Sequence, residues 1–360
     1  MNMKLKGFFV LIGLLFTSFL MAEVNEIINS KEFIFDNEAF GQCHASTIAE
    51  TSNGLIAAWF GGTKEGHQDV EIWISRFENN QWSTPASVAN GVQHAAKRYP
   101  CWNPVLYQTP DDELILFYNV GATTYTWWGE IKRSSDGGLT WSHAERLPED
   151  IIGPTKNKPF LTKSGQLLSA SNTKENTQGG WKLQLEMTSD FGRTWELGTS
   201  ISDPDSLNAV QGCFLYHDDE YITLQLLARS KNGGVVDSWS YDEGKTWSAI
   251  RSTHLPNPNS GIDAITLKEG FHMLVYNPTE RPEKKWGGKR TPLCIGVSKD
   301  GINWRNIAVL ETGDGEYSYP SLIQGKNGLV HITYTWKRKK IVHAVVDPKM
   351  IIKNHPSLLR

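Results

Sequence analysis

The chain reads Ser135-Asp136-Gly137-Gly138-Leu139-Thr140-Trp141 near its middle, and related phrases recur on both sides of it. Clear copies end at Trp195 and Trp247, a weaker copy ends at Trp304, and a degraded one spans Ile74–Trp82. The closing tryptophans are 52 to 59 residues apart. A period of this length, with strand-like sequence between the copies, is typical of a fold that repeats one small β-unit.

The phrase itself has the composition of a tight turn. Its aspartate can accept hydrogen bonds from backbone N–H groups two residues on, and its glycine can adopt the positive φ of a tight hairpin. The tryptophan supplies a large apolar ring that packs beneath the turn. Because each residue stabilises the same turn in every copy, we interpret the motif as structural, and its aspartates are not candidate site residues.

A second repeat lies between these turns. Six strand-like runs each begin with a polar residue, continue with a small residue or proline, and then become apolar, and their leading residues are 52 to 59 residues apart. Six such runs predict an all-β, six-bladed β-propeller with four antiparallel strands in each blade. In one shared register, the leading residues would ring one mouth of the central channel. They are His44, Asn103, Lys158, Gln211, Asp263 and Tyr319.

The first 22 residues have the pattern of a secretory signal. Lys4 and Lys6 precede an apolar core from Phe8 to Leu20. No later apolar run is long enough to span a bilayer. We therefore predict residues 1–22 as a signal peptide and residues 23–360 as one propeller domain, which is secreted or periplasmic and has no membrane span after signal removal.

The composition excludes several classes of partner. The formal net charge is −3 and no basic run or nucleic-acid-binding motif occurs, so we expect no nucleic-acid partner. Acidic ligands would have to be bound by individually placed arginines. The four cysteines are too few for a disulfide framework, and buried unpaired thiols are expected. No spacing is typical of a zinc or calcium site, so neither a metal nor an organic cofactor is predicted.

The turn phrases resemble the Asp-boxes of sialidases, and the chain after its signal resembles the bacterial BNR-repeat, sialidase-like propellers. Three further stretches add to the resemblance: Trp59–Gly66 followed by Asp69, Pro100–Leu106, and Tyr317–Pro320. These stretches are similar to a variant branch of the family that lacks the Phe-Arg-Ile-Pro phrase. What the resemblance implies is a six-bladed propeller with Asp-box turns that acts on a sugar.

Sialidases bind the carboxylate of their sugar with three arginines and attack its anomeric carbon with a tyrosine. A phenol suits this carbon because it arrives neutral beside the carboxylate, and arginine suits the carboxylate because its planar fork binds both oxygens. The resemblance assigns Arg229 and Arg290 to the carboxylate and Tyr319 to the attack, with Tyr317 on the same strand face as an alternative.

The same resemblance implies an acid/base carboxylate in the loop that follows Trp59–Gly62. Asp69 starts the next strand and Glu65 lies in a glycine-flanked part of this loop, so both are candidates. For substrate binding, we add Lys158, which could bind a carboxylate, and Trp102, whose ring could stack on a sugar.

The chain departs from the family pattern at three positions. Cys43 and His44 stand where the family has its first arginine, and Arg98 is the candidate replacement. Gln211 stands where the glutamate partner of the tyrosine is expected. Because an amide cannot take a proton, Asp263 becomes the candidate base. Asn103 replaces an aspartate of the second blade.

These residues leave three functions open. The first is a secreted exo-glycosidase that acts on acidic glycan termini, most similar to an exo-α-sialidase, with an acidic oligosaccharide or glycoconjugate as substrate. The second is a propeller lyase or another glycosidase acting on glycans that contain uronate or rhamnose, in which His44 and Tyr319, on adjacent blades, exchange protons with the substrate. The third is a glycan-binding propeller without catalysis, which Gln211 favours.

Overall fold

The structure is a computed structural model, and it describes residues 27–36, 40–172, 182–218 and 220–359. The predicted signal peptide lies outside these residues. The described strands form six antiparallel sheets that are the blades of a β-propeller, and one separate two-stranded hairpin, so the predicted fold is confirmed. None of the described helices is long and apolar enough to cross a membrane.

The strands follow one another blade by blade along the chain. The N-terminal strand is β1 (Ile28–Phe33). Blade one contains β2 (Gln42–Thr51), β3 (Gly54–Gly62), β4 (Glu71–Glu78), β5 (Gln81–Trp82) and β6 (Ala86–Ala89). A hairpin of β7 (Gly91–His94) and β8 (Lys97–Tyr99) follows. Blade two contains β9 (Cys101–Gln108), β10 (Leu114–Val120), β11 (Trp128–Ser134) and β12 (Glu145–Arg146).

The remaining blades repeat the four-stranded pattern. Blade three contains β13 (Phe160–Leu161), β14 (Leu167–Asn172), β15 (Leu183–Thr188) and β16 (Glu196–Leu197). Blade four contains β17 (Ala209–Tyr216), β18 (Leu224–Ser230), β19 (Gly234–Ser240) and β20 (Arg251–Pro256). Blade five contains β21 (Asp263–Thr266), β22 (His272–Tyr276), β23 (Leu293–Ser298) and β24 (Arg305–Glu311). Blade six contains β25 (Tyr317–Gln324), β26 (Val330–Trp336) and β27 (Lys340–Val346).

The two ends of the chain close the ring. β1 supplies the outer strand of blade six, where Phe33 pairs with Val342 and Ile28 pairs with Val346. A short helix, α1 (Pro348–Asn354), follows β27, and the carboxylate of Asp347 caps its first turn. Because a propeller buries the faces of neighbouring blades against each other, the core consists of inter-blade clusters.

The repeated turns join the third and fourth strands of blades two to five. In the turn around Asp190, the carboxylate accepts hydrogen bonds from the backbone of Arg193 (2.9 Å) and from the backbone and hydroxyl of Thr194 (2.8 and 2.6 Å). The donors therefore lie three and four residues after the aspartate, whereas the sequence predicted donors two residues after it. Gly192 has a φ of 88° at the position that favours glycine. The turns around Asp136, Asp242 and Asp300 have equivalent bonds.

The first strands of four blades contain a one-residue bulge near the channel mouth. The bulged residues have positive φ: Ala45 (56°), Asn103 (44°), Gln211 (57°) and Tyr319 (55°). A bulge shifts every preceding residue by one position relative to its partner strand. In blade one the bulge lies at Ala45 and not at the predicted leading residue His44, so the prediction of one register for all six leading residues is wrong.

The misplaced leaders lie in blades one, three and five. In blade one, Ala45 rather than His44 corresponds to Gln211 and Tyr319. Asp263, which pairs with Val275, corresponds to Cys213, which pairs with Leu227 in blade four. Cys213 comes two residues after Gln211, so Asp263 lies deeper in the channel than Gln211 does. In blade three, the residue with positive φ is Lys156 (78°), two residues before Lys158.

Candidate functional site

A cavity of about 370 Å³ opens at the mouth of the channel where the first strands of the blades begin. All six blades contribute to its lining. The charged residues and the tyrosine are Glu65, Arg229, Arg290, Tyr319 and Arg338. The amide, hydroxyl and indole residues are Trp102, Asn103, Thr124, Trp127, Asn172, Gln211 and Trp286. A cavity of this size, lined by rings and by convergent polar groups, is typical of a small-molecule site.

Tyr319 lies in the floor of the cavity and is 8% exposed. The guanidinium carbons of Arg229 and Arg290 lie 5.4 and 5.5 Å from the centre of its ring. The ring of His44 packs against it at a centroid distance of 4.2 Å. A Cβ atom on Gly261 would come within 3.1 Å of the Tyr319 ring, so a side chain at this position would have to displace the ring by a few tenths of an ångström. The phenol ring is therefore fixed on several sides.

Glu316 joins two of the cavity's arginines from behind. Its Oε1 accepts a hydrogen bond from Arg290 (2.7 Å), and its Oε2 accepts one from Nε of Arg338 (2.9 Å). Burial would raise the pKa of Glu316, but the charges of Arg290 and Arg338 outweigh burial and lower it. Arg338 also forms an ion pair with Glu65 on the loop of blade one. These bonds hold two guanidinium groups at the cavity wall.

Arg229 supplies the third guanidinium of the cavity. It extends from β18 and is 4% exposed, and its Nη1 donates a hydrogen bond to the carbonyl of Asn259 (3.0 Å). Burial lowers the pKa of Arg229, yet arginine keeps its charge in proteins. Three guanidinium groups and one phenol therefore meet in one cavity, which favours an anionic ligand.

Arg338 lines the cavity but was not among the residues predicted from the sequence. It lies in the three-residue turn between β26 and β27, where Lys337 and Arg338 have φ of 51° and 54°. Its carbonyl accepts a hydrogen bond from the amide of Cys43 (3.0 Å), so it adjoins the position where the family's first arginine was expected. The signal available in the sequence was a basic hairpin turn at the same end of blade six as Tyr319.

The opposite wall of the cavity is neutral. The amide N–H of Gln211 donates to the side chain of Asn172 (2.8 Å), and Asn103 lies at the bulge of blade two. The side-chain oxygen of Gln211 is buried and has no hydrogen-bond partner among the described residues. Trp102 donates its indole N–H to the carbonyl of Gly121 (2.9 Å). This wall suits hydroxyl or amide groups of a ligand.

The structure brings together seven of the residues predicted from the sequence and leaves six outside the cavity lining. The seven are Glu65, Trp102, Asn103, Gln211, Arg229, Arg290 and Tyr319. The six are His44, Asp69, Arg98, Lys158, Asp263 and Tyr317. Besides Arg338, the lining residues that sequence reasoning missed are Thr124, Trp127, Asn172 and Trp286.

Asp69 and Arg98 stabilise the loop that carries Glu65. Asp69 accepts hydrogen bonds from the amide and the hydroxyl of Thr63 (3.0 and 2.6 Å) and pairs with His67 (2.7 Å). Burial opposes these bonds, but they lower the pKa of Asp69 to about 2. Arg98 donates to Glu71 (2.6 Å) and to the carbonyl of Asp69 (3.1 Å). Asp69 is therefore engaged within the loop, and Arg98 connects β8 to the end of the loop and the start of β4.

Lys158 and Asp263 lie deeper in the channel and line a separate cavity of about 350 Å³. Lys158 donates to the hydroxyl of Ser321 (2.6 Å) and pairs with Asp263 (3.5 Å). Asp263 also accepts a hydrogen bond from the amide of Leu322 (2.8 Å). These bonds join the first strands of blades three, five and six.

His44 and Tyr317 lie behind the cavity wall. Nδ1 of His44 is 2.9 Å from the hydroxyl of Thr335, and its Nε2 is 3.9 Å from Glu316. Burial, followed by the positive charge of Arg338, lowers the pKa of His44 well below its usual value, so the imidazole is neutral at pH 7. Tyr317 is buried and donates its hydroxyl to the carbonyl of Asp314 (3.3 Å).

The part of the chain that the structure describes contains no cluster of three or more His, Cys, Asp or Glu side chains that could hold a metal ion. The four cysteines are buried free thiols, as expected from the sequence. The ionisable groups that line the cavity are three arginines, the carboxylate of Glu65 and the phenol of Tyr319.

Comparison with known proteins gives the family and the fold. Residues 53–332 match the BNR repeat-like domain family. A protein of unknown function from Dyadobacter fermentans DSM 18053 superposes with a TM-score of 0.72 at 15% identity, over 89% of this chain and 98% of that one. The Hadza microbial sialidase Hz136 gives 0.72 at 16% identity, over 86% of this chain and 66% of that one.

A further structural relative is the NanB sialidase from Streptococcus pneumoniae, with a TM-score of 0.67 at 12% identity. The match covers 89% of this chain and 71% of that one. No curated protein matches the chain significantly. At such identities, the structural matches show the propeller fold and leave the activity of this chain to its own residues.

Proposed function

The chain belongs to the BNR repeat-like domain family, and we propose that it is an exo-acting glycoside hydrolase that removes an acidic sugar from the end of a glycan. The observation that carries this proposal is the meeting of Arg229, Arg290 and Arg338 with Tyr319 in one cavity. Because the cavity is a closed-ended pocket at the mouth of a channel, it suits a terminal sugar better than an internal one.

The arginines define the acidic end of the substrate. Each guanidinium can donate two parallel hydrogen bonds to a carboxylate, and burial strengthens such charged bonds. Glu316 holds Arg290 and Arg338 in place, which reduces the ordering cost of binding. The amide wall around Gln211 and Asn172 would then hydrogen-bond the hydroxyl groups of the same sugar.

Tyr319 is the proposed nucleophile. Its oxygen would bond to the anomeric carbon while the glycosidic bond breaks, and water would later release the sugar from the tyrosine. Arg229 and Arg290, with guanidinium carbons 5.4 and 5.5 Å from the ring centre, would stabilise the phenolate that develops. The phenol proton would pass to solvent at the cavity mouth, because burial and the nearby arginines hold the pKa of His44 low and make its imidazole a poor proton acceptor.

Glu65 is the proposed acid/base group. Of the two loop carboxylates predicted from the sequence, it lines the cavity, whereas Asp69 is engaged by Thr63 and His67. Its place on a loop of blade one lets it approach the leaving oxygen from above the sugar. We further propose that residues 1–22 direct the chain to the periplasm or the outside of the cell, where glycan ends are accessible.

A second candidate function is β-elimination from a uronate-containing glycan. What favours it is the position of Tyr319 between the neutral His44 and two arginines, because the ionised tyrosine could take the C5 proton and then donate it to the leaving oxygen. The arginines would then neutralise the carboxylate next to C5. No water is consumed in this reaction, and one product carries a new double bond.

Product masses test both functions. The purified protein without residues 1–22 is incubated with a mixture of sialylated and uronate-containing oligosaccharides. Products whose masses sum to substrate plus water, including a free acidic sugar, are the expected result. Products that sum to the substrate alone, one of them unsaturated, would contradict hydrolysis and favour elimination. Binding without turnover would contradict both and leave a glycan-binding propeller.

A further inference from the structure

Lys156 is a fully enclosed lysine in the centre of the propeller, 1% exposed. Its Nζ donates to the side chain of Asn157 (2.7 Å) and to the carbonyls of Ile262 and Pro320 (2.5 Å each). An ammonium has three donors, and all three are used here. Burying a charge is expensive unless its donors are satisfied, so this arrangement is a built site and no accident of packing.

The partners of Lys156 lie directly beside the floor of the cavity. Pro320 follows Tyr319, and Ile262 follows Gly261, the glycine against which the Tyr319 ring packs. The neighbouring Asn157 donates its side-chain N–H to the carbonyl of Gln211 (2.8 Å). Blade three is thereby connected to the backbones of blades four, five and six at three points next to cavity residues.

Tyr319 needs such support because its backbone is strained. A bulky residue rarely adopts a φ of 55°, and such a conformation persists only where the surroundings hold it. The next residue is Pro320, which has no N–H to donate to the neighbouring strand. The carbonyl of Pro320 is the one backbone group of this residue that can hydrogen-bond, and Lys156 binds it.

We propose that Lys156 is a positioning residue for Tyr319: its ammonium fixes the carbonyls of Pro320 and Ile262 and thereby the bulge and the glycine that orient the phenol in the cavity. The inference rests on the proposed role of Tyr319. It goes beyond that role because Lys156 is not among the residues that line the cavity and acts through the backbone alone.

The charge of Lys156 depends on its surroundings. Burial lowers its pKa to about 8, Asp263 opposes this, and Lys158 and Arg229 reinforce it, with the thiol of Cys213 as a further titratable neighbour. Above this pH the amine has two donors for three acceptors. Experiments at pH 6.5 therefore keep the ammonium in place.

The first test is kinetic and uses methylumbelliferyl sialoside as the probe at pH 6.5. Lys156→Met keeps an unbranched side chain of similar length and removes the ammonium donors. We therefore expect kcat to fall about 10- to 100-fold while KM changes less than about threefold. If the methionine variant does not fold, kcat and KM are measured instead for Lys156→Gln, whose side-chain amide keeps two donors. Lys132→Met is the matched control, because Lys132 of blade two also donates to a carbonyl, that of Val88 in blade one (2.6 Å).

The second test needs no activity. Fluorine NMR of fluorotyrosine-labelled protein assigns the Tyr319 resonance as the one of eleven that Tyr319→Phe removes. We expect the Lys156 variants to shift or broaden this resonance and Lys132→Met to leave it in place. An unmoved Tyr319 resonance in a folded Lys156 variant would overturn the inference. Turnover that survives Tyr319→Phe, or a probe that is never cleaved, would instead count against the proposed function.

Discussion

The two ends of the propeller are determined by the sequence in different ways. At the end with the repeated turns, each turn in blades two to five uses the same aspartate and the same hydrogen bonds. At the other end, each blade contributes a different residue to the cavity. The turns are local, since their partners lie within four residues, whereas Tyr319 and Arg229 meet across 90 residues of sequence.

This difference separates stability from function. A residue that recurs in every blade answers a need that every blade shares, namely closing a turn. A residue that departs from the repeat, such as Tyr319 or Gln211 at equivalent bulges, has no such shared need. We therefore expect substitutions in the turns to change the free energy of unfolding and substitutions in the cavity to change turnover.

The strongest test of this separation is Tyr319→Phe. Removing the phenol oxygen leaves the packing on Gly261 and His44 in place, so we expect kcat/KM to fall at least about 10³-fold with little change in unfolding. Tyr107→Phe is the control, because Tyr107 of blade two stacks on Phe191 in the turn of blade three and does not line the cavity. Turnover within tenfold of wild type in the Tyr319 variant would contradict its role as nucleophile.

The next test compares arginines at the two ends. If Arg338 binds the carboxylate of the substrate as proposed, Arg338→Met removes a charged hydrogen bond to it, so we expect KM to rise about 10- to 100-fold. Arg193→Met is the control at the turn end, where Arg193 binds the carbonyl of Asp190 (2.8 Å). Arg98→Met tests the assignment made from the sequence. A rise in KM as large as that of Arg338→Met would show that Arg98 reaches the substrate.

The fold could be predicted because its signals are local. The closing tryptophans and the strand starts gave the number of blades without any knowledge of long-range contacts. The closure of blade six by β1 was not predicted, because Ile28–Phe33 pairs with a strand more than 300 residues away. A short polar strand at a chain end has no periodic signal of its own.

The site was predicted only in part, and the errors share a cause. A bulge of one residue changes the direction of the side chains before it, so His44 lies behind the wall while Ala45 takes the equivalent position. Lys158 and Asp263 were assigned to the mouth by spacing but lie deeper in the channel. Arg338 comes from a neighbouring turn, and no spacing rule connects it to Cys43.

A smaller effect is expected at the turn end. Asp190→Ala removes the acceptor of three hydrogen bonds from Arg193 and Thr194, so we expect the free energy of unfolding to fall by about 1–3 kcal/mol. Turnover per folded molecule should not change, which denaturant unfolding and kinetics on one preparation can check. Asp190→Asn keeps an acceptor oxygen and should lose less. A loss of kcat in the alanine variant would contradict the separation of the two ends.

The last test concerns a carboxylate that belongs to neither end. Glu186 is fully buried on β15 and accepts hydrogen bonds from the amides of Ile152 and Gly153 (2.9 and 2.7 Å) and from the hydroxyl of Ser171 (2.8 Å). Burial raises its pKa from 4.5 to about 7, against the opposing effect of these donors. Asp190 is only partly buried at its turn, so its hydrogen bonds outweigh burial and lower its pKa to about 2.

The sign of the pH dependence follows from this balance. Between pH 4.5 and 7, folded Glu186 keeps a proton that the unfolded chain has released, so its contribution to stability is present below pH 4.5 and is lost as pH rises through 7. Glu186→Gln cannot titrate. Its free energy of unfolding, measured against wild type by denaturant at several pH values, should therefore become relatively more favourable across this window. A constant difference would mean that the hydrogen-bond donors around Glu186 outweigh burial and keep it ionised.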